Sequence, residues 1–207
     1  MIRLYLAFLD RELPEMPDEL LSSYRAEKLA GMKNKAARQQ SIGAELLLRY
    51  ALSDCGYPVI TPLDLGTGEY GKPYLRTGEC CFSLSHSEGA VLCAVSDAEC
   101  GADIQKIRPV NMSLVERYYA PAEKGAVFSA EDPDEAFTAI WAMKESYIKA
   151  SGLGLRMPLP SFSVLDPALS AHMWCKKLDR FFLAVYGEKL ETEEIEFKQV
   201  ETSALLS

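Results

Sequence analysis

Trp141-Ala142-Met143-Lys144-Glu145-Ser146-Tyr147-Ile148-Lys149 decides how the second half of the chain folds. With Phe137 and Ile140 upstream, Trp141 and Ile148 make one apolar stripe at a 3.6-residue period, so the segment is a helix packed on a core. Glu145 and Lys149 stand one turn apart at the edge of that stripe, where a side chain can touch a neighbouring element and still reach a cleft. Hard carboxylate oxygens suit a divalent ion such as Mg²⁺, and an ammonium suits the remaining charge of a phosphate. The same two residues also make an ordinary i,i+4 surface pair worth roughly 0.2–0.5 kcal/mol, and the helix alone favours that plainer reading. Lys144 falls inside the stripe, where its charge is costly unless the stem snorkels or the amine meets an anion.

A second segment shifts the balance. Ala90-Val91-Leu92-Cys93-Ala94-Val95 is an apolar run of strand length, Ser96-Asp97 signals a turn, and Gly101-Ala102-Asp103-Ile104 resumes a short strand. The pattern predicts a β-hairpin carrying Asp103 beside its turn. Aspartate is depleted in strands, so Asp103 needs a partner or an exposed face. Asp103 and Glu145 are a candidate metal pair converging from a strand and a helix, although two carboxylates this far apart can equally be unrelated.

The charge balance excludes one broad class. Lys and Arg number 22 against 30 Asp and Glu, which argues against a general nucleic-acid binder with its basic footprint. Charge is nevertheless uneven. Between Leu21 and Tyr50, Arg25, Lys28, Lys33, Lys35, Arg38 and Arg49 face only Glu27 and Glu45, while Glu188 to Glu201 is strongly acidic. The basic stretch reads either as a local anion site or as a solvated helix face. Six cysteines include the adjacent Cys80-Cys81 and no Cys-x-x-Cys, so they read as reduced thiols. The apolar run Leu4–Leu9 stops at Asp10 without a small-residue cleavage site, so a cytoplasmic protein with neither signal peptide nor membrane span is expected.

The two halves of the chain run in loose parallel. A helix from Gln40 to Ala51 leads through Phe82-Ser83-Leu84 to a strand Val91–Val95, and a helix from Ala136 to Ala150 leads through Phe162-Ser163-Val164 to a strand Phe181–Val185. Ser113-x-x-Glu116 reads as a capping box, Asp134 as an N-cap and Gly152 as the residue that ends the helix. The fold class is α/β (α+β): two pseudo-symmetric lobes, 1–100 and 101–207, each a small antiparallel-rich sheet packed with a long helix. A strand Ile2–Leu9 would open the first lobe and Ile195–Val200 would close the second.

Gly71-Lys72-Pro73, then Phe82-Ser83-Leu84-Ser85-His86-Ser87, then Gly101-Ala102-Asp103-Ile104, then Trp141 to Ser146 with Lys149 resemble the ordered motifs of the Sfp-type 4′-phosphopantetheinyl transferases. The resemblance spans roughly residues 25 to 165. It implies an enzyme that moves the phosphopantetheine arm of coenzyme A onto a serine of an apo acyl or peptidyl carrier protein, releasing 3′,5′-ADP, with the ligand cleft between the lobes. It further implies Asp103 and Glu145 as Mg²⁺ ligands, Lys149 as a catalytic residue that holds the pyrophosphate of coenzyme A, Lys144 as another coenzyme A-binding residue, and Glu123 as the base that takes the serine proton. Glu123 follows Pro121, so it also reads simply as a first-turn helix residue favoured by the dipole. Ser85 and His86 would line the 3′-phosphate and adenine pocket, Lys72 and Pro73 would touch the nucleotide, and Arg25, Lys28 and above all Arg38 would clamp the 3′-phosphate.

The chain departs from the family pattern at Asp103-Ile104-Gln105, where many relatives carry Asp-x-Glu. Gln105 offers the metal a neutral carbonyl, directly or through water, so the resemblance implies retained activity with a raised Mg²⁺ requirement. A catalytically weak relative that only binds coenzyme A or a carrier protein is the alternative this residue leaves open. Another Mg²⁺-dependent phosphotransferase is disfavoured because no Gly-x-x-x-x-Gly-Lys-Ser/Thr loop is present. Val110 to Phe128, with Met112, Leu114, Tyr118 and Tyr119, is the candidate carrier-docking surface, or equally part of the second core. Two fused lobes make a monomer sufficient, and no membrane partner is expected.

Overall fold

The computed structural model describes residues 1–190 and 195–206. Its elements run β1 (Ile2–Phe8), α1 (Ser23–Ala30), α2 (Lys35–Asp54), β2 (Leu65–Thr67), β3 (Pro73–Leu75), β4 (Cys81–Ser87), β5 (Ala90–Ser96) and β6 (Cys100–Lys106). They continue with α3 (Met112–Tyr118), α4 (Pro121–Ser129), α5 (Pro133–Ser151), α6 (Pro167–Ser170), β7 (Met173–Leu178), β8 (Phe181–Gly187) and β9 (Ile195–Gln199). Residues 191–194 of the acidic stretch lie outside the described residues.

Period-two alternation builds four layers. Along β1 and β5, Tyr5, Ala7, Val91, Cys93 and Val95 pack on the face that receives α2, with Leu47, Leu48 and Leu52. The intervening Leu4, Leu6, Leu92 and Ala94 pack instead against Ala102, Ile104, Leu183 and Val185 of a second sheet. Strands buried on both faces read as continuous apolar runs, which is why Ala90–Val95 shows no alternation. The other face of the second sheet receives α5. The order is therefore helix, sheet, sheet, helix, a mixed α/β architecture of two lobes as expected.

Expectations of strand pairing and lobe bounds are corrected. β5 does not pair with β6: the first sheet runs β4-β5-β1-β9 and the second β6-β8-β7, so the chain crosses between sheets at Asp97–Glu99. β9 does not close the second lobe. It lies parallel to β1, Ile2 opposite Ile195, and Val200 and Leu205 beyond it join the first core. The lobes are thus not cleanly 1–100 and 101–207, because the C-terminal strand returns to the first. The parallel of the two halves also fails at Phe162-Ser163-Val164, which forms no strand, whereas its counterpart Phe82-Ser83-Leu84 lies in β4.

Helix ends follow local chemistry. Asn111 caps α3 by accepting from Leu114 N, in place of the expected Ser113–Glu116 box, and Asp132 rather than Asp134 caps α5. Gly152 ends α5 at φ 68°, a left-handed conformation that glycine adopts without a Cβ penalty. On α5, Phe137, Ile140 and Ile148 are buried as the stripe requires, each contributing roughly 1.5–3 kcal/mol of burial. Among the described residues no helix is long and apolar enough to cross a membrane.

Candidate active site

Gly101 sets the distance between α5 and β6. A Cβ on this residue would lie 1.9 Å from Ser146 O and 2.4 Å from Ala150 N, both backbone atoms. Only glycine permits so close a crossing. The approach brings the outer edge of α5 over Asp103, which shares with Gly101 the helix-facing side of β6. Lys149 Nζ donates to Asp103 Oδ1 at 2.6 Å and to Ala102 O at 3.3 Å.

Asp103 is 2 % exposed and fully engaged: Ser85 Oγ donates to its Oδ1 at 2.6 Å and Gln105 Nε2 to its Oδ2 at 2.8 Å. Glu145, one turn before Lys149, makes no hydrogen bond or ion pair among the described residues. Its carboxyl is held above the usual range, first by burial and then by the charge of Asp103, with Lys149 opposing. Two like charges brought together in a half-buried setting, one of them without a donor, form a site that a cation would relieve. No three His, Cys, Asp or Glu side chains gather together among the described residues, so an ion there would rest on two carboxylates, the Gln105 carbonyl and oxygens from outside the chain. That sparse donor set fits Mg²⁺, which keeps water and phosphate oxygens.

A cleft of about 300 Å³ opens beside this group. Its walls are α1 with Tyr24, Arg25 and Lys28, the segment Tyr70-Gly71-Lys72-Pro73, β4 with Ser83, Leu84 and His86, and α5 with Glu145, Ile148 and Lys149. Arg25, Lys28, Lys72 and Lys149 face one carboxylate, Glu145, so the cleft suits a polyanion. His86 is held below its ordinary pKa, first by lost solvation and then by Lys149, Arg25 and Lys28, while Asp103 pulls the other way.

The cleft cations are held in different ways. Arg25 is 4 % exposed; its Nε lies 3.4 Å from Glu45 Oε2 and its Nη1 donates to Ser41 Oγ at 2.8 Å. Burial lowers its pKa, and Glu45 opposes this. Glu45 also accepts from the backbone N–H and the hydroxyl of Ser22, the N-cap of α1, and from Arg49. This tie fixes α1 against α2 and aims Arg25. Lys28 is exposed and lies 4.6 Å from the Tyr24 ring centre. Lys72 Nζ reaches Glu99, Cys100 O and Ala150 O, joining the first lobe to the end of α5.

Four expected residues stand elsewhere. Arg38 does not line the cleft: its Nη1 donates to Leu29 O at 2.7 Å, closing the C-terminal end of α1. Ser85 does not line the cleft, and its hydroxyl donates to Asp103. Lys144 and Glu123 do not reach the cleft, being wholly buried against each other in the second core. Glu123 is a first-turn residue of α4, as the proline before it allowed. In the sequence Glu45 counts only as one of two acids in a basic stretch, although a carboxylate immediately before Leu46-Leu47-Leu48 signals a buried charge in need of partners. In the candidate docking stretch, Met112 and Phe128 are exposed, whereas Tyr119 is buried and stacked on Phe137.

Comparison with known proteins identifies the family. A family model described as the 4′-phosphopantetheinyl transferase superfamily matches residues 99–190. The transferase Sfp of Bacillus subtilis (strain 168) is 31% identical over 171 residues, 79% of this chain and 76% of its own length. The transferase psf-1 of Bacillus pumilus is 34% identical over 130 residues, 61% of this chain and 55% of its own. The chain belongs to the 4′-phosphopantetheinyl transferase superfamily, within its Sfp-type branch.

Proposed function

We propose that the chain transfers the 4′-phosphopantetheine group of coenzyme A to a serine of an apo acyl or peptidyl carrier protein, with Mg²⁺, in the cytoplasm and as a monomer. The observation that carries the reading is the meeting of buried Asp103 with Glu145 and Lys149, which line a cation-rich cleft. Arg25 and Lys28 are the cations for the 3′-phosphate, and His86, Lys72 and Pro73 border the nucleotide. Lys149 holds the pyrophosphate. Asp103 and Glu145 hold the metal, with Gln105 as a neutral donor. Bound Mg²⁺ supplies neutralisation of the charge that grows on the leaving phosphate. The serine oxygen forms the new bond to the β-phosphorus, the pyrophosphate bond breaks, 3′,5′-ADP leaves with the electron pair, and the serine proton is released to solvent. Glu123 is left out of the chemistry, since Lys144, Ala120 N and Val164 N already occupy its oxygens.

Intact-mass spectrometry of apo carrier protein incubated with the chain, coenzyme A and Mg²⁺ tests the reading. A gain of one phosphopantetheine group, absent with Glu145→Ala, supports it. Coenzyme A binding with no gain on several carriers turns the reading to a binding protein, the option Gln105 keeps in view; no binding at all overturns both.

A further inference from the structure

β6 is the edge of its sheet, with β8 on one side only, so its outward N–H groups need partners. The alternate serines of β4 provide them across the gap between sheets. Ser83 Oγ accepts from Ala102 N at 2.9 Å, Ser85 Oγ from Ile104 N at 3.3 Å and Ser87 Oγ from Lys106 N at 3.1 Å. A hydroxyl that accepts still has one proton to donate. Of the three, Ser85 spends it on a carboxylate, the Oδ1 of Asp103, at 2.6 Å.

Asp103 is therefore held asymmetrically. Oδ1 takes two donors, the Ser85 hydroxyl and the Lys149 ammonium, both at 2.6 Å. Oδ2 takes only the amide of Gln105, whose own carbonyl oxygen sits on the same carbon. Ser85 is 5 % exposed and anchored by a backbone N–H, so it cannot drift with the carboxylate; it fixes it. Resting on the metal reading above, we propose that Ser85 is a positioning residue: its hydroxyl pins Oδ1 of Asp103 and so reserves Oδ2 for the divalent ion. Removing a group that holds a metal-binding carboxylate in place typically costs about 10–100-fold in metal affinity.

The test is Mn²⁺ binding to the full chain, read from the paramagnetic resonance of free Mn²⁺, with saturating coenzyme A and no carrier protein, so that no turnover contributes. Ser87→Ala is the matched variant, because Ser87 belongs to the same ladder and touches no carboxylate. Ser85→Ala weakens Mn²⁺ binding on the order of tenfold, while Ser87→Ala stays within about twofold of the parent. Ser85→Ala binding as tightly as the parent overturns the proposal, as does equal weakening by both variants, which marks the ladder as structural only. A parent chain that binds no Mn²⁺ overturns the metal reading itself. If Ser85→Ala does not fold, Ser85→Cys is read in its place: its weaker donor also loosens Mn²⁺, and unchanged binding counts against the proposal.

Discussion

Lys144 Nζ sits 2.9 and 2.7 Å from the two carboxylate oxygens of Glu123, and both side chains are wholly buried. The same ammonium donates to Phe162 O at 2.9 Å, and the same carboxylate accepts from Ala120 N and Val164 N. One ion pair thus joins α5, the start of α4 and the 162–164 loop. Burial lowers the Lys144 pKa and Glu123 raises it against that trend. Breaking such a pair leaves an uncompensated buried charge, so Lys144→Met costs about 3–5 kcal/mol. Adding Glu123→Gln to it removes the stranded charge and keeps an acceptor for one of the two N–H groups, its amide NH2 opposing the other, so the double variant recovers part of the loss. Urea denaturation of the parent, single and double variants checks this; additive losses would mean the pair is not coupled.

Gly101→Ala drives a methyl into the backbone of α5. No rotamer can relieve a contact with Ser146 O and Ala150 N, so the helix must lift from β6. The expected loss is about 3 kcal/mol or more. Because Glu145 and Lys149 ride on that helix, carrier modification falls with it. A variant with parental thermal stability and parental transfer rate would show that the helix has room to shift.

Gln105→Glu places a second carboxylate beside Asp103. With Mg²⁺ the added charged oxygen strengthens the site, and half-maximal transfer needs less metal than in the parent. Without metal the like charges repel, and thermal stability drops by the equivalent of about 1 kcal/mol. Transfer titrated against Mg²⁺ reads the first effect. Unchanged metal dependence would place Gln105 away from the ion.

Asp54 ties the last strand to the first lobe. Its Oδ1 accepts from Lys198 at 2.6 Å and its Oδ2 from the Tyr5 hydroxyl at 2.9 Å. The Lys198 hydrogen bond holds its carboxyl below the ordinary value of 3.8, with Tyr5 helping and desolvation opposing. A carboxyl depressed by folding adds stability above its unfolded pKa and loses it as pH falls through the folded one. Asp54→Asn is therefore less stable than the parent at pH 7, and the gap narrows under acid. Thermal unfolding from neutral pH down to about 3 measures it. A gap constant over that range would remove Asp54 from the acid response.

Local regularity explains what the sequence made legible. The 3.6 period of α5 is a one-dimensional pattern, and so is the conflict of Lys144 with its own stripe, which already demanded a buried anion. Asp103 in a strand demanded a partner for the same reason. The identity of those partners was not legible: Glu123 lies 21 residues from Lys144, and Pro121 offered an equally good local reason for it. Arg38 and Arg25 look alike in a basic stretch, yet only Arg25 lines the cleft, held by Glu45 and Ser41 of the neighbouring helix, while Arg38 turns to Leu29 O.

By itself, then, the sequence determined the two long helices, the main core strands and the ordered motifs of an Sfp-type transferase, since these depend on residue type and short-range spacing. Tertiary structure alone decided that β9 returns to lie parallel with β1, that β5 and β6 part into different sheets, and that Ser85 faces Asp103 while His86 faces the cleft. Each is a choice of partner across space, made by which edge N–H groups and which buried charges remain to be satisfied once the layers have packed.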